Sequence, residues 1–130
     1  MKRIAFLLCL CIFLSGCGQK PQEPAIRTVV GIQVEYTQGN QVLQRNYTKS
    51  ENVQSVLKYL RLLRPYGTVI PETDAPTSCK IILQFSHGPD SVYLQLGNSY
   101  LRRNDDDWES IDENRAALLY PMLLLLPSDS

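Results

Sequence analysis

Hydrophobic and polar residues alternate along several segments of the chain with the two-residue period of half-buried β-strands. The first segment covers residues 26–36, and a Gln-Gly-Asn turn at residues 38–40 separates it from a returning strand over residues 41–48. Residues 79–96 predict a second hairpin, and residues 99–103 a shorter strand after it. The pattern therefore predicts about five strands, most of them in hairpins.

Two other segments carry apolar residues at the three- and four-residue spacing of amphipathic helices. A capping box at residues 48–51 precedes the first helix, and Pro65 follows it. A second capping box at residues 110–113 precedes the last helix, in which Pro121 predicts a kink near Ala117 or a break. The predicted buried positions are Val53, Val56, Leu57, Leu60 and Leu63 in the first helix and Ala116, Leu119 and Leu123 in the second.

In chain order these elements are ββα followed by βββα. This order predicts an α+β fold, an antiparallel sheet of about five strands with two helices packed on one face. Residues 68–78 form a surface loop in this prediction, and Trp108 and Ile111 return toward the core. A single domain is expected over residues 26–130, a length that can bury a hydrophobic core.

The first residues of the chain have a different character. Lys2 and Arg3 precede an apolar run over residues 4–14, the pattern of a secretory signal and too short to cross a bilayer. The run ends in Leu14-Ser15-Gly16-Cys17. This tetrapeptide closely resembles the lipobox of bacterial lipoproteins, in which an aliphatic residue and two small residues precede a cysteine.

The resemblance implies that residues 1–16 are a cleaved signal peptide and that Cys17 is diacylated on its thiol, because the bond to the lipid is a thioether. Two acyl chains on one residue give durable membrane attachment. Residues 17–25, with two prolines and a glycine, would then form a flexible tether. The expected location is the extracytoplasmic side of a bacterial membrane, either the cell membrane or the outer membrane.

Composition and charge argue against several classes of function. The chain balances 13 basic against 13 acidic residues, and loss of the leader's two basic residues would leave a slight negative excess, so nucleic acid is not an expected partner. After removal of the leader and lipidation of Cys17, Cys79 is the one remaining thiol, and we expect it to be buried. With a single histidine, the chain lacks the clustered ligands of zinc sites. No metal or cofactor is predicted.

Two short motifs contain the residue types of catalytic or metal sites. Residues 86–90 include serine, histidine and aspartate, but one tight turn cannot easily align a nucleophile, a base and an orienting acid. The acids at residues 105, 107 and 109 alternate as in a calcium loop, yet Ser110 stands where glycine is required and Ala116 where a bidentate glutamate is required. Turn chemistry explains both motifs better, and no enzymatic activity is predicted.

Two surfaces remain as candidate sites. On the strand pattern, the sheet face away from the helices carries Gln33, Glu35, Lys80, Ile82, Gln84, Tyr93, Gln95, Tyr100 and Arg102. The candidate partner-binding residues among them are Lys80, Gln84, Tyr93, Tyr100 and Arg102, since tyrosine and arginine are enriched at interfaces. Lys58, Arg61 and Arg64 form a basic cluster on the first helix and a weaker candidate for binding an anion. Ordinary solvated surfaces would also explain both sets.

The sequence therefore predicts a membrane-anchored, monomeric and non-enzymatic accessory domain that binds a protein or peptide partner in the cell envelope. The alternative is a binder of a small ligand or envelope glycan that uses the basic cluster and the loop over residues 68–78. Beyond the lipobox, the layout of the domain is similar to that of small lipoproteins of bacterial envelopes, and this likeness implies no particular activity.

Overall fold

The computed structural model describes residues 28–72 and 77–129. The predicted signal peptide, the lipidation site at Cys17 and the tether lie outside the described residues, as do residues 73–76 of the predicted loop. The described residues form an α+β fold with one seven-stranded antiparallel sheet and two helices.

Nine elements follow one another along residues 28–72 and 77–129. They are β1 (Val29–Gln38), β2 (Gln41–Tyr47), α1 (Ser50–Leu63), β3 (Tyr66–Thr68), β4 (Cys79–Phe85), β5 (Ser91–Leu96), β6 (Tyr100–Arg103), β7 (Glu109–Ser110) and α2 (Glu113–Leu125). The α+β class is confirmed. The prediction of about five strands in the order ββα-βββα is wrong, because β3 and β7 are additional strands. They have three and two residues, too few to show an alternating pattern.

In space the strands lie in the order β2-β1-β4-β5-β6-β7-β3. Strand β4 pairs with β1 across a long separation in sequence, with Val34 opposite Ile81, and this pairing joins the two predicted hairpins into one sheet. Strand β3 pairs with β7 at the far edge. The chain between β3 and β4 therefore connects one edge of the sheet to its middle.

Both helices pack against the same face of the sheet. This face presents a row of fully buried side chains in the two central strands, and α1 and α2 cover it with their own apolar positions. The buried residues are Ile32, Val34 and Tyr36 in β1, Cys79, Ile81 and Leu83 in β4, Val53, Val56, Tyr59, Leu60 and Leu63 in α1, and Ala116 and Leu123 in α2. The Tyr36 hydroxyl also donates a hydrogen bond to the Leu123 carbonyl at 3.2 Å.

Helix α2 continues through Pro121 without interruption, so of the two predicted alternatives, a kink near Ala117 or a break, the break does not occur. A proline removes one backbone hydrogen bond, but Ala116 before it and Leu123 after it are both buried, and this packing stabilises the helix on both sides of the proline. The predicted capping box is also wrong. The N-cap is Asp112, whose carboxylate accepts a hydrogen bond from the Arg115 amide at 3.1 Å, and Ser110 belongs to β7.

The segment after α2 is fastened along the edge strand β2. The Tyr47 hydroxyl donates to the Leu126 carbonyl at 2.7 Å, and the Asp129 amide donates to the Asn46 carbonyl at 3.0 Å. The Ser128 hydroxyl accepts from the Asn46 amide at 3.0 Å and donates to the Asn46 carbonyl at 3.1 Å. The C-terminal segment therefore occupies backbone groups that an edge strand otherwise exposes.

Asp129 caps α1 from the other end of the chain. Its carboxylate accepts hydrogen bonds from the Thr48 amide, from the Lys49 amide at 2.6 Å and from the Asn52 side chain. The capping box predicted at residues 48–51 is wrong, because the Thr48 hydroxyl donates to Asp129 and no side chain of the box caps the helix. Hydrogen bonds to the charged form lower the pKa of Asp129 from its ordinary value to about 2.

Asp129→Asn should lower the free energy of unfolding at neutral pH, because an amide oxygen replaces a charged acceptor at the start of α1. The lowered pKa means that the carboxylate contributes fully above about pH 4, where it is also ionised in the unfolded chain. The contribution is lost as the pH falls from about 4 toward 2. Urea unfolding across this range should show a difference between wild type and variant that closes at low pH. Asp106→Asn, which removes an exposed charge from a turn, should show no such difference, and equal effects of the two variants would contradict the cap.

Candidate interaction surface

The sheet face opposite the helices carries no helix of the described part of the chain, and we call it the open face. Antiparallel register arranges its side chains in rows across the strands. In one row, Glu35 of β1 lies opposite Lys80 of β4, Lys80 opposite Leu94 of β5, and Leu94 opposite Arg102 of β6. The parallel row places Gln33, Ile82 and Val92 side by side.

The centre of the open face is apolar. Ile82 lies directly opposite Val92, and Leu94 is the next residue of β5 on the same face. All three side chains are only partly buried, and Val42 of β2, opposite Thr37 on the same face, is 62% exposed. Contiguous apolar side chains that remain accessible to solvent mark contact surfaces.

Arg102 stacks on Trp108 beside this apolar centre. The guanidinium carbon lies 5.1 Å from the centroid of the indole ring, within the range of a cation–π interaction. The Nε atom of Arg102 is shielded from solvent and has no hydrogen-bond partner among the described residues. The expectation that Trp108 returns to the core is thus wrong. Ile111 does return to the core, where it is 2% exposed.

Tyr93 and Gln95 do not lie on the open face. The register of β5 places each of them opposite a buried residue of β4, on the face that the helices cover. The predicted placement of these two residues on the open face is wrong, because the alternation of β5 is shifted by one residue. Val92 and Leu94 lie on the open face instead. The alternation of β5 favoured the opposite phase, because valine and leucine stand at residues 92, 94 and 96 and more polar residues stand between them. Pairing with β4 overrides this pattern.

Gln95 is stable in the core because both polar atoms of its amide have a hydrogen-bond partner. Its Oε1 accepts from the Tyr59 hydroxyl of α1 at 2.5 Å, and its Nε2 donates to the Gly97 carbonyl at 2.8 Å. Burial raises the pKa of the Tyr59 phenol, so this hydroxyl remains a neutral donor. A polar residue can occupy a core position, here with 1% exposure, when its partners are supplied from elsewhere in the fold.

Four of the five candidate partner-binding residues share the open face. Lys80 and Arg102 lie in the row through Leu94, and Tyr100 lies opposite Ser110 at the β7 side. Gln84 lies over Gly31, where a Cβ would approach its Oε1 to 2.6 Å. Glycine at this position therefore leaves room for the glutamine side chain.

The three residues of the predicted basic cluster do not converge on one site. Lys58 lines a groove between α1 and α2, whereas Arg61 lines a separate cleft between α1 and strands β5 to β7. Arg64 is the C-cap of α1, with a left-handed φ of 46°. Lys58 and Arg61 have different surroundings because the last helix packs on one side of α1 and the strands lie on the other.

The two motifs with catalytic or metal-binding residue types show the geometry of turns. The Ser86 hydroxyl lies 3.2 Å from Nδ1 of its neighbour His87 and 3.4 Å from the Thr28 amide, all on an exposed turn. The described residues contain no group of three or more histidine, cysteine, aspartate or glutamate side chains placed to hold a metal ion. Cys79 is buried, and burial raises the pKa of its thiol to about 12, so the thiol is neutral and unreactive.

No family model, curated protein or solved structure matches this chain. Within residues 28–72 and 77–129, neither helix is long and apolar enough to span a membrane.

Tyr59→Phe should lower the free energy of unfolding by about 1–3 kcal/mol, because it leaves Gln95 Oε1 buried without a donor. Adding Gln95→Met should recover part of this loss, since the double variant replaces both polar partners by apolar groups. Urea unfolding of the two single variants and the double variant measures the coupling. Tyr66→Phe, at a 61% exposed position, should change stability by less than about 0.5 kcal/mol. Strictly additive losses at Tyr59 and Gln95 would argue against the buried hydrogen bond.

Proposed function

We propose that this protein is a non-enzymatic binding domain, held by a lipid on the extracytoplasmic side of a bacterial membrane, whose open face docks a protein or peptide partner. The observation that carries the proposal is the composition of the open face. An apolar centre of Ile82, Val92 and Leu94 is flanked by Lys80 on one strand and by the Arg102–Trp108 stack on the other side. An apolar centre with a polar rim is the usual organisation of a protein interface.

The Arg102–Trp108 stack is the expected energetic centre of this interface. Tryptophan, tyrosine and arginine dominate binding energy at interfaces, and here Tyr100 of the same strand adds the third type. The stack holds the guanidinium group in place, so little side-chain entropy remains to be lost on binding.

Docking on the face of the sheet is favoured over strand addition at the β2 edge. The C-terminal segment already occupies both backbone groups of Asn46. A peptide that paired with the Asn46 end of β2 would have to displace this segment and the cap that Asp129 provides to α1. The open face requires no such rearrangement.

The lipid anchor in this proposal is carried by the resemblance of residues 14–17 to a lipobox. About ten residues separate Cys17 from Thr28, where the described domain begins, and their extended length is about 35 Å. A tether of this reach allows the open face to meet partners close to the membrane surface.

The anchor predicts the covalent form of the protein. Intact-mass spectrometry of the protein purified from its native membrane should show a chain that begins at Cys17 and carries acyl mass. Cys17→Ala should abolish both the acyl mass and the fractionation of the protein with membranes. A native chain that begins at another residue, or that carries no acyl group, would contradict the anchor while leaving the partner-binding proposal to its own experiment.

The docking surface predicts a position-dependent crosslink. A benzoylphenylalanine at Tyr100, on the open face, should capture a discrete partner in intact cells. The same probe at Tyr93, which faces the helices, or at Leu118, on the exposed outer side of α2, should not capture it.

Arg102→Ala should reduce the Tyr100 crosslink strongly, because loss of a central interface residue costs about 2 kcal/mol or more, roughly a thirtyfold loss in affinity. Arg103→Ala is the matched control, since this neighbouring arginine lies on the opposite face, and it should leave the crosslink unchanged. Diffuse capture from Tyr100, or equal effects of the two arginine variants, would overturn the proposal.

A further inference from the structure

A second concave surface lies on the helix-covered side of the sheet, between α1 and strands β5 to β7. This cleft has a volume of about 350 Å³, within the range of small-molecule sites. Its floor is apolar and is formed by Leu57 and Leu60 of α1, Leu83 of β4 and Leu101 of β6. Tyr93, which the register turns away from the open face, forms part of its wall.

Two arginines from different elements converge on the rim of this cleft. Arg61 comes from α1 and Arg103 from β6, directly opposite Tyr93, and both side chains are exposed. Glu109 of β7 also lines the cleft, so the two arginines and this glutamate give the lining of the cleft a net charge of +1. Among the described residues no carboxylate forms a salt bridge with either guanidinium group, which leaves their donors available.

The apolar floor would bind the hydrocarbon part of a ligand, and the charged rim would bind its head group. Burial of hydrocarbon against the four leucines would supply the attraction, and a single negative charge at the rim would match the net charge of the lining. The cleft volume of about 350 Å³ lies at the lower end of the range for small-molecule sites, which favours a medium-length chain over a long one.

We propose that the cleft between α1 and strands β5 to β7 binds a medium-chain monoanionic amphiphile, with its head group on Arg61 and Arg103 and its chain on the leucine floor. Lys58 and Arg64 take no part in this site, although the sequence grouped them with Arg61. The site lies on the opposite side of the sheet from the open face, and it depends neither on partner docking nor on the lipid anchor.

Photoaffinity labelling of the purified full chain with a decanoate analogue that carries a terminal diazirine tests the site. Label should appear on the peptides that contain Leu57, Leu60 and Leu101, should saturate with concentration, and should be displaced by decanoate. Decyltrimethylammonium, which has the same chain and the opposite charge, should displace it far less.

The matched variants separate a specific site from general attraction to positive charge. The double variant Arg61→Gln with Arg103→Gln should weaken labelling about fivefold, as expected for the loss of two solvent-exposed ion pairs. The double variant Lys58→Gln with Arg64→Gln removes the same charge from neighbouring positions of α1 and should change labelling less than twofold.

All four substitutions fall on exposed residues, and equal urea midpoints would confirm that both double variants fold. Equal labelling of the two variants, label concentrated on the outer side of α2 at Leu118 and Leu125, or equal displacement by the cationic amphiphile would each overturn the proposal.

Discussion

The pairing of β1 with β4 is the constraint on which the rest of the structure depends. It joins two segments about 50 residues apart, and its register, with Val34 opposite Ile81, places the buried residues of both strands on one face. The register of β4 determines which residues of β5 face the helices, and the register of β5 does the same for β6. A shift of one residue would turn the hydrophobic set of a strand to solvent, so burial under the helices specifies this register strongly.

Polar contacts at the end of the chain complete this arrangement. Arg45 of the edge strand donates to the carbonyls of Leu124 and Leu126 and also lies over the Tyr36 ring at 5.4 Å. Asp129 supplies the cap that the residues before α1 do not provide. The C-terminal segment thereby occupies the backbone groups of Asn46 at one end of the β2 edge. It also links the last helix to the first hairpin, a contact between distant parts of the chain that hydrophobic burial alone would not make specific.

The two candidate binding surfaces arise from the same alternation. In β5, Val92 and Leu94 point to the open face, while Tyr93 lines the cleft on the other side. In β6, Arg102 stacks on Trp108 on the open face, while Arg103 reaches the rim of the cleft. Adjacent residues of one strand thus supply two chemically different sites, and substitutions at neighbouring positions can test them separately.

The sequence by itself determined the α+β class, the first hairpin, both helices and most buried positions of α1, because these depend on periodicities within one segment. It also indicated seven of the nine residues assigned to the open face, since the positions in β1 and β4 follow from the alternation within each strand. Only the tertiary structure decided the phase of β5. Its alternation favours burial of residues 92, 94 and 96, but pairing with β4 turns Tyr93 and Gln95 to the helices, where a hydrogen bond from Tyr59 makes Gln95 acceptable in the core. The tertiary structure likewise placed Trp108 under Arg102, gave the cap of α1 to Asp129 and separated Lys58 from Arg61, because each of these depends on contacts between segments far apart in the chain.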